Sequence, residues 1–139
     1  MKVMVAGYYD PLHDGHLDHI RKAAKLGNYL VIVTHTDRCT ERVKGLRFTS
    51  ADFRRFILRG ILKEIGITGE VIVTNDIDMG RTLKIVHPDI YAKGGDRNQS
   101  NTPKCEIDMC NEIGCKIIYG VGKLLNSSSN IKKKLKDIG

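Results

Sequence analysis

The sequence predicts an α/β protein: an open, parallel, five-stranded sheet with helices on both faces. Three observations carry this. Five short apolar segments alternate with amphipathic stretches, the order in which crossover helices join parallel strands. The first apolar segment stops at Gly7, and a helical pattern follows the turn at Pro11. The 139 residues, 41% of them hydrophobic, suffice for one domain, residues 1–139, with its own core.

The first strand is expected over residues 3–6, and the helix over 16–26 places Leu17, Ile20 and Ala24 on one face. His19, in mid-helix, reads as a surface residue. A second strand over 30–34 precedes a helix over 50–64, which Thr49 can cap with Asp52 at the reciprocal position. Phe53, Phe56, Ile57 and Ile61 make its apolar stripe, with Arg54 at the edge and Arg55 and Arg59 pointing away. Strand 70–73, helix 79–86 and strand 90–92 follow. Lys93-Gly94-Gly95-Asp96-Arg97 then leaves the strand, and its paired glycines imply special dihedrals or a close approach to a ligand. Thr102 and Pro103 suit the start of a helix over 103–113. Strand 116–119 and a last helix from about residue 129 complete the series, with no repeat or linker.

Lys plus Arg outnumber Asp plus Glu 23 to 16, a formal charge of +7 that suits anionic ligands. No nucleic-acid motif accompanies this excess, and the lysines of 132–136 read as a solvated helix face. Cys39, Cys105, Cys110 and Cys115 form no Cys-x-x-Cys pair, so core packing is expected rather than zinc or disulfides. No apolar run approaches the ~20 residues of a membrane span. No signal-peptide pattern opens the chain. A cytoplasmic protein without membrane insertion is expected.

The chemistry concentrates in Tyr9-Asp10-Pro11-Leu12-His13-Asp14-Gly15-His16, where the first strand meets the first helix. Ligands of open α/β sheets bind at the carboxyl ends of strands. A helix start there offers free N–H groups and a positive dipole end to a phosphate, and Gly15 permits close approach.

This run resembles the His-x-Gly-His signature of the cytidylyltransferase-like nucleotidyltransferases, and the resemblance extends over nearly the whole chain. Gly7-Tyr8-Tyr9-Asp10 stands where that family has Gly-x-Phe-Asp. Thr36-Asp37 matches its Ser/Thr-Asp, Lys44-Gly45 and Arg47 fall in its basic substrate-facing loop, and Asp52-x-Arg54 matches its Glu-x-Arg. The segment 90–96 is similar to the Lys-Gly-Gly-Asp region of heptose-1-phosphate adenylyltransferases of lipopolysaccharide core biosynthesis, and Ser127-Ser128-Ser129-Asn130-Ile131 to their Ser-Thr-Thr-Asn-Ile. The arginine that glycerol-3-phosphate cytidylyltransferases carry before the last helix is missing from 122–128, with Lys123 in a shifted position.

The resemblance implies a Rossmann-like fold and nucleotidyl transfer, with AMP from ATP expected to pass to a sugar phosphate such as heptose 1-phosphate and pyrophosphate to leave. His13, His16, Lys44 and Arg54 would be catalytic. Tyr8, Tyr9, Asp10, Gly15, Lys93, Gly94, Asp96, Ser127, Ser128 and Ser129 would hold the nucleotide, and Asp37 and Arg47 the substrate. Two roles stay open for Asp10, positioning a metal or a histidine, and two for Asp96, ribose contact or metal. Mg²⁺ is expected with the nucleotide, and the family implies a homodimer. The alternatives are a CTP-dependent glycerol-3-phosphate cytidylyltransferase and a nucleotide-binding module without turnover.

Overall fold

The structure, a computed structural model, describes residues 1–122. Ser127, Ser128, Ser129, the last predicted helix and the lysines of 132–136 lie outside the described residues. The chain runs β1 (Lys2–Ala6), α1 (Asp14–Ala24), β2 (Tyr29–His35), α2 (Asp37–Lys44), α3 (Ala51–Ile65), β3 (Thr68–Thr74), α4 (Gly80–Val86), β4 (Ile90–Ala92), a 3₁₀ turn (Gln99–Asn101), α5 (Lys104–Ile113) and β5 (Lys116–Ile118). All strand pairs are parallel, and the sheet order is β3-β2-β1-β4-β5. The α/β, Rossmann-like expectation holds, and its five strands fall at the predicted segments.

The strands at the centre of the sheet are apolar on both faces because both faces are covered. Val3 and Val5 point to one side with Leu30 and Ile32, where Ile20 and Ala23 of α1 and Leu58 and Leu62 of α3 pack. Met4, Val31 and Val33 point to the other, against Leu83 and Val86 of α4 and Cys110 of α5. The chain leaves β1 toward β2 and β3, then returns to put β4 on the other flank of β1. That reversal opens a crevice above β1 and β4, at their carboxyl ends.

Three local readings are corrected. Helix α2 was not foreseen between the second strand and residue 50; Thr36 caps it by accepting from Cys39 N at 3.2 Å, and Gly45 ends it at φ +71°. The stripe of α3 is rotated by roughly a quarter turn from the predicted one. Arg54, Leu58 and Leu62 are buried, while Phe53 and Phe56 are 53% and 75% exposed. The cap of α3 is Ser50, whose Oγ accepts from Phe53 N at 3.1 Å. Thr49 is drawn instead to Asp10.

Three of the four free cysteines are buried as expected, but Cys105 is exposed. Among the described residues no helix is long and apolar enough to cross a membrane.

Candidate active site

A cleft of about 550 Å³ lies over the carboxyl ends of β1, β2 and β4. Its centre is the start of α1. His13 is the N-cap in extended conformation, an unusual residue for a place that Ser, Thr, Asp or Asn normally take. Its Nδ1 accepts from Gly15 N at 3.1 Å, and His16 Nδ1 accepts from His13 N at 3.3 Å. The two rings consequently stack, with centroids 3.7 Å apart and planes 19° apart.

This reciprocal capping settles the tautomers. A ring nitrogen that accepts from an amide carries no proton, so in the neutral ring the proton sits on Nε2. Both rings are held neutral. Burial lowers the His13 pKa, with Lys44 working in the same direction against Asp14. Burial, His13, Lys44 and His19 bring His16 down to about 3. The pair therefore presents two Nε2–H donors, and His13 Nε2 is buried without a hydrogen-bond partner. Such an atom costs stability unless something accepts from it. Tyr9 sits beneath, at φ +53°, with its ring edge-on to His16 at 5.0 Å. Gly7 leaves room for it: a Cβ there would lie 3.1 Å from the Tyr9 ring, which would have to shift by a few tenths of an ångström.

On the β2 side, Tyr8 stacks on His35 with centroids 4.0 Å apart, and Lys44 Nζ lies 5.3 Å from the Tyr8 ring centre. On the β4 side, Lys93 lines the cleft, but its charge is balanced by Glu106 at 3.0 Å. Glu106 is buried and also accepts from the Tyr91 hydroxyl at 2.8 Å and from Met79 N at 3.1 Å. Asp96 and Arg97 stand exposed at the mouth. Gly94 has a different reason from the expected one. Its absent Cβ would fall 2.9 Å from the His19 ring and from Val121 O, so the close approach is to protein. His19 is accordingly not a surface residue: its Nε2 donates to Ala92 O at 3.0 Å and its ring lines the cleft.

The structure brings Tyr8, Tyr9, His13, Gly15, His16, Lys44, Lys93, Gly94 and Asp96 to this one cleft. Four predicted site residues do not line it. Arg54 is fully buried rather than at a cleft edge, donating to Thr49 O at 2.5 Å and His35 O at 2.6 Å. Asp10 accepts from Phe48 N, Thr49 N and Thr49 Oγ1 at 2.7–2.9 Å, which gives it a third role, holding the segment between α2 and α3. Asp37 accepts from Ala51 N at 2.6 Å, and Arg47 pairs with Glu41 at 2.9 Å. Glu106, His35, Val43 and Ile77 are cleft residues that the sequence reading missed. The one signal available was Glu106, a lone acid placed in the first turn of α5.

Among the described residues no group of three or more His, Cys, Asp or Glu is placed to hold a metal ion.

Comparison with known proteins identifies the family and supports the fold. Residues 4–134 match the family model described as Cytidylyltransferase-like. A FAD synthase of Aciduliprofundum boonei is 34% identical over 97% of this chain and 87% of its own length. A bifunctional protein HldE of Vibrio vulnificus is 34% identical over 68% of this chain, but the match spans 19% of that protein. Among solved structures, the lipopolysaccharide core biosynthesis protein from Thermoplasma volcanium superposes with a TM-score of 0.68 at 28% identity, over 88% of this chain and 97% of that one.

Proposed function

This chain belongs to the cytidylyltransferase-like family and is a nucleotidyltransferase, and from that premise we propose that it moves AMP from ATP onto the phosphate of a phosphorylated acceptor. The observation that carries the reading is the stacked His13–His16 pair, with both Nε2–H groups as donors at the start of α1.

An acceptor phosphate oxygen attacks the α-phosphorus in line. The bond from that phosphorus to the bridging oxygen breaks, and pyrophosphate leaves with the electron pair. The second pKa of a phosphate monoester is near ~6, so the nucleophile is already ionised at neutral pH and no side chain needs to take a proton. What the site must supply is position and stabilisation of growing negative charge. Neutral histidines suit this because they donate without having to lose a proton. The free N–H groups of the first turn of α1 add to them. Lys44, at the β2 end, would engage the acceptor phosphate or the leaving pyrophosphate. Gly94 and Asp96 would face the nucleotide, and Ser127, Ser128 and Ser129 remain assigned to its phosphates. Mg²⁺ would arrive on the nucleotide and screen the phosphates' charge.

Two acceptors have support. The FAD synthase likeness spans nearly all of both chains and favours FMN, since joining AMP to FMN makes FAD. The Lys93-Gly94-Gly95-Asp96 segment and the HldE match favour heptose 1-phosphate. A homodimer, which the family implies, is also proposed.

Pyrophosphate release tests the reading. ATP and CTP are each crossed with FMN, heptose 1-phosphate and glycerol 3-phosphate, in the presence of Mg²⁺. Release with ATP and one of the first two acceptors is expected. Release with CTP and glycerol 3-phosphate alone would overturn the choice of ATP. No release with any acceptor, together with tight ATP binding, would make the chain a binding module.

A further inference from the structure

The cleft has two chemically different ends. Toward β4 it is made of Gly94, Gly95, Asp96 and Arg97, backbone and charge that suit a nucleotide. Toward β2 and β3 the walls come from α2 and from the segment after β3, which set exposed aliphatic side chains beside the charges of Lys44 and Asp78. Val43, one residue before Lys44, is 45% exposed, and Ile77, across the sheet ends, is 49% exposed. Single exposed aliphatic residues are ordinary. Two of them on separate elements line one cleft together with the flat Tyr8–His35 stack. His35 is itself buried, and its Nδ1 faces the Cys39 Sγ at 3.5 Å.

We propose that Val43 and Ile77, with the Tyr8–His35 stack, form the ring-binding half of the acceptor site. They would select an acceptor whose phosphate is borne by a planar heteroaromatic group, as in FMN, over a sugar phosphate. This rests on the adenylyl-transfer reading above. A planar ring gains from aromatic and aliphatic contact on its faces. A sugar must instead exchange several hydroxyl–water bonds for protein ones. At this end the exposed charged side chain after β3 is Asp78, and Lys44 is drawn toward the Tyr8 ring. Lys44 lines the same cleft, so a ring seated there would carry its phosphate toward a cation and toward the histidine pair.

The test is a titration of the full chain with FMN, read by quenching of flavin fluorescence, on wild type and on the Val43→Ser/Ile77→Ser double variant. Both positions are exposed, so the variant should fold normally. Wild type is expected to quench, and the double variant to bind FMN at least roughly tenfold more weakly, with ATP affinity by calorimetry within about twofold. FMN binding that is unchanged in the variant would overturn the assignment, because the ring would then lie elsewhere. Absence of quenching, with pyrophosphate released from ATP by heptose 1-phosphate, would also overturn it while leaving adenylyl transfer standing. Weakened flavin binding in the variant, with no pyrophosphate release from ATP in wild type, would support the ring site and overturn the transfer reading.

Discussion

The Asp10 carboxylate and the Arg54 guanidinium lie 3.9 Å apart, and neither side chain is open to solvent. Around them, Asp10 accepts from Phe48 and Thr49, and Arg54 donates to the carbonyls of His35 and Thr49. One buried pair therefore ties the turn before the histidines to the end of β2 and to the start of α3. Its members match family motif positions, yet both act through the backbone that frames the cleft.

Removing one member should be costly, because the other is left as an uncompensated buried charge. Arg54→Met is expected to lower stability by about 3–5 kcal/mol, seen as a reduced urea midpoint. A loss below about 0.5 kcal/mol, the size of a surface change, would show that Asp10 finds another partner or takes up a proton without strain.

His16→Ala should act on rate more than on fold. The variant loses a donor to the reacting phosphates, about two to three orders of magnitude in pyrophosphate release. It also loses the bond that His16 Nδ1 accepts from His13 N, about 1 kcal/mol of stability. Circular dichroism establishes that the variant is folded. An undiminished rate in a folded variant would sink the role given to the pair.

The arrangement of α3 separates what a sequence can show from what it cannot. Strand positions were legible because Val3–Ala6-type apolar runs buried on both faces have few other uses, and the His-x-Gly-His start was legible because its chemistry is local. The phase of α3 was misread because phenylalanine dominates a hydrophobic pattern. Here Phe53 and Phe56 face out, while Arg54 is taken in by two carbonyls and Asp10. His19 and Glu106 were missed for a related reason: each is buried by a partner distant in sequence, Ala92 for one and Lys93 and Tyr91 for the other. Periodicity carries no information about such partners.

That phase is itself testable. Leu58→Ala should cost about 2–5 kcal/mol, as for a core truncation. Phe56→Ser and Arg59→Ala should each stay within about 0.5 kcal/mol of wild type, and Arg59→Ala should leave pyrophosphate release unchanged. The reverse order of Leu58 and Phe56 in denaturant midpoints would restore the sequence-based stripe.

Acid should destabilise the protein well before its carboxylates titrate. Burial lowers the pKa of His13, His16, His19 and His35, to about 3 for His16 and about 4 for His35. In the unfolded chain each returns to near ~6.5. As pH falls through that value the unfolded state takes up protons that the folded state refuses, so the unfolded state binds more protons and stability falls with falling pH. The loss continues until the folded histidines titrate, about pH 4 for His35 and about pH 3 for His16. Asp10 adds a loss at the acid end. Burial raises its pKa, but the bonds from Phe48 and Thr49 and the Arg54 charge outweigh that and leave it lowered. Its contribution is therefore present above the usual carboxylate range and is lost as pH falls through the lowered folded value. Urea midpoints should be flat from about pH 7.5 to 8, fall above that as unfolded thiols ionise near ~8.5 while Cys105 and Cys115 stay protonated in the fold, fall steadily from about pH 6.5 downward, and fall less steeply in His35→Gln. A stability maximum near pH 5 would mean that these histidines are charged in the folded protein, and the donor assignment of the His13–His16 pair would fail with it.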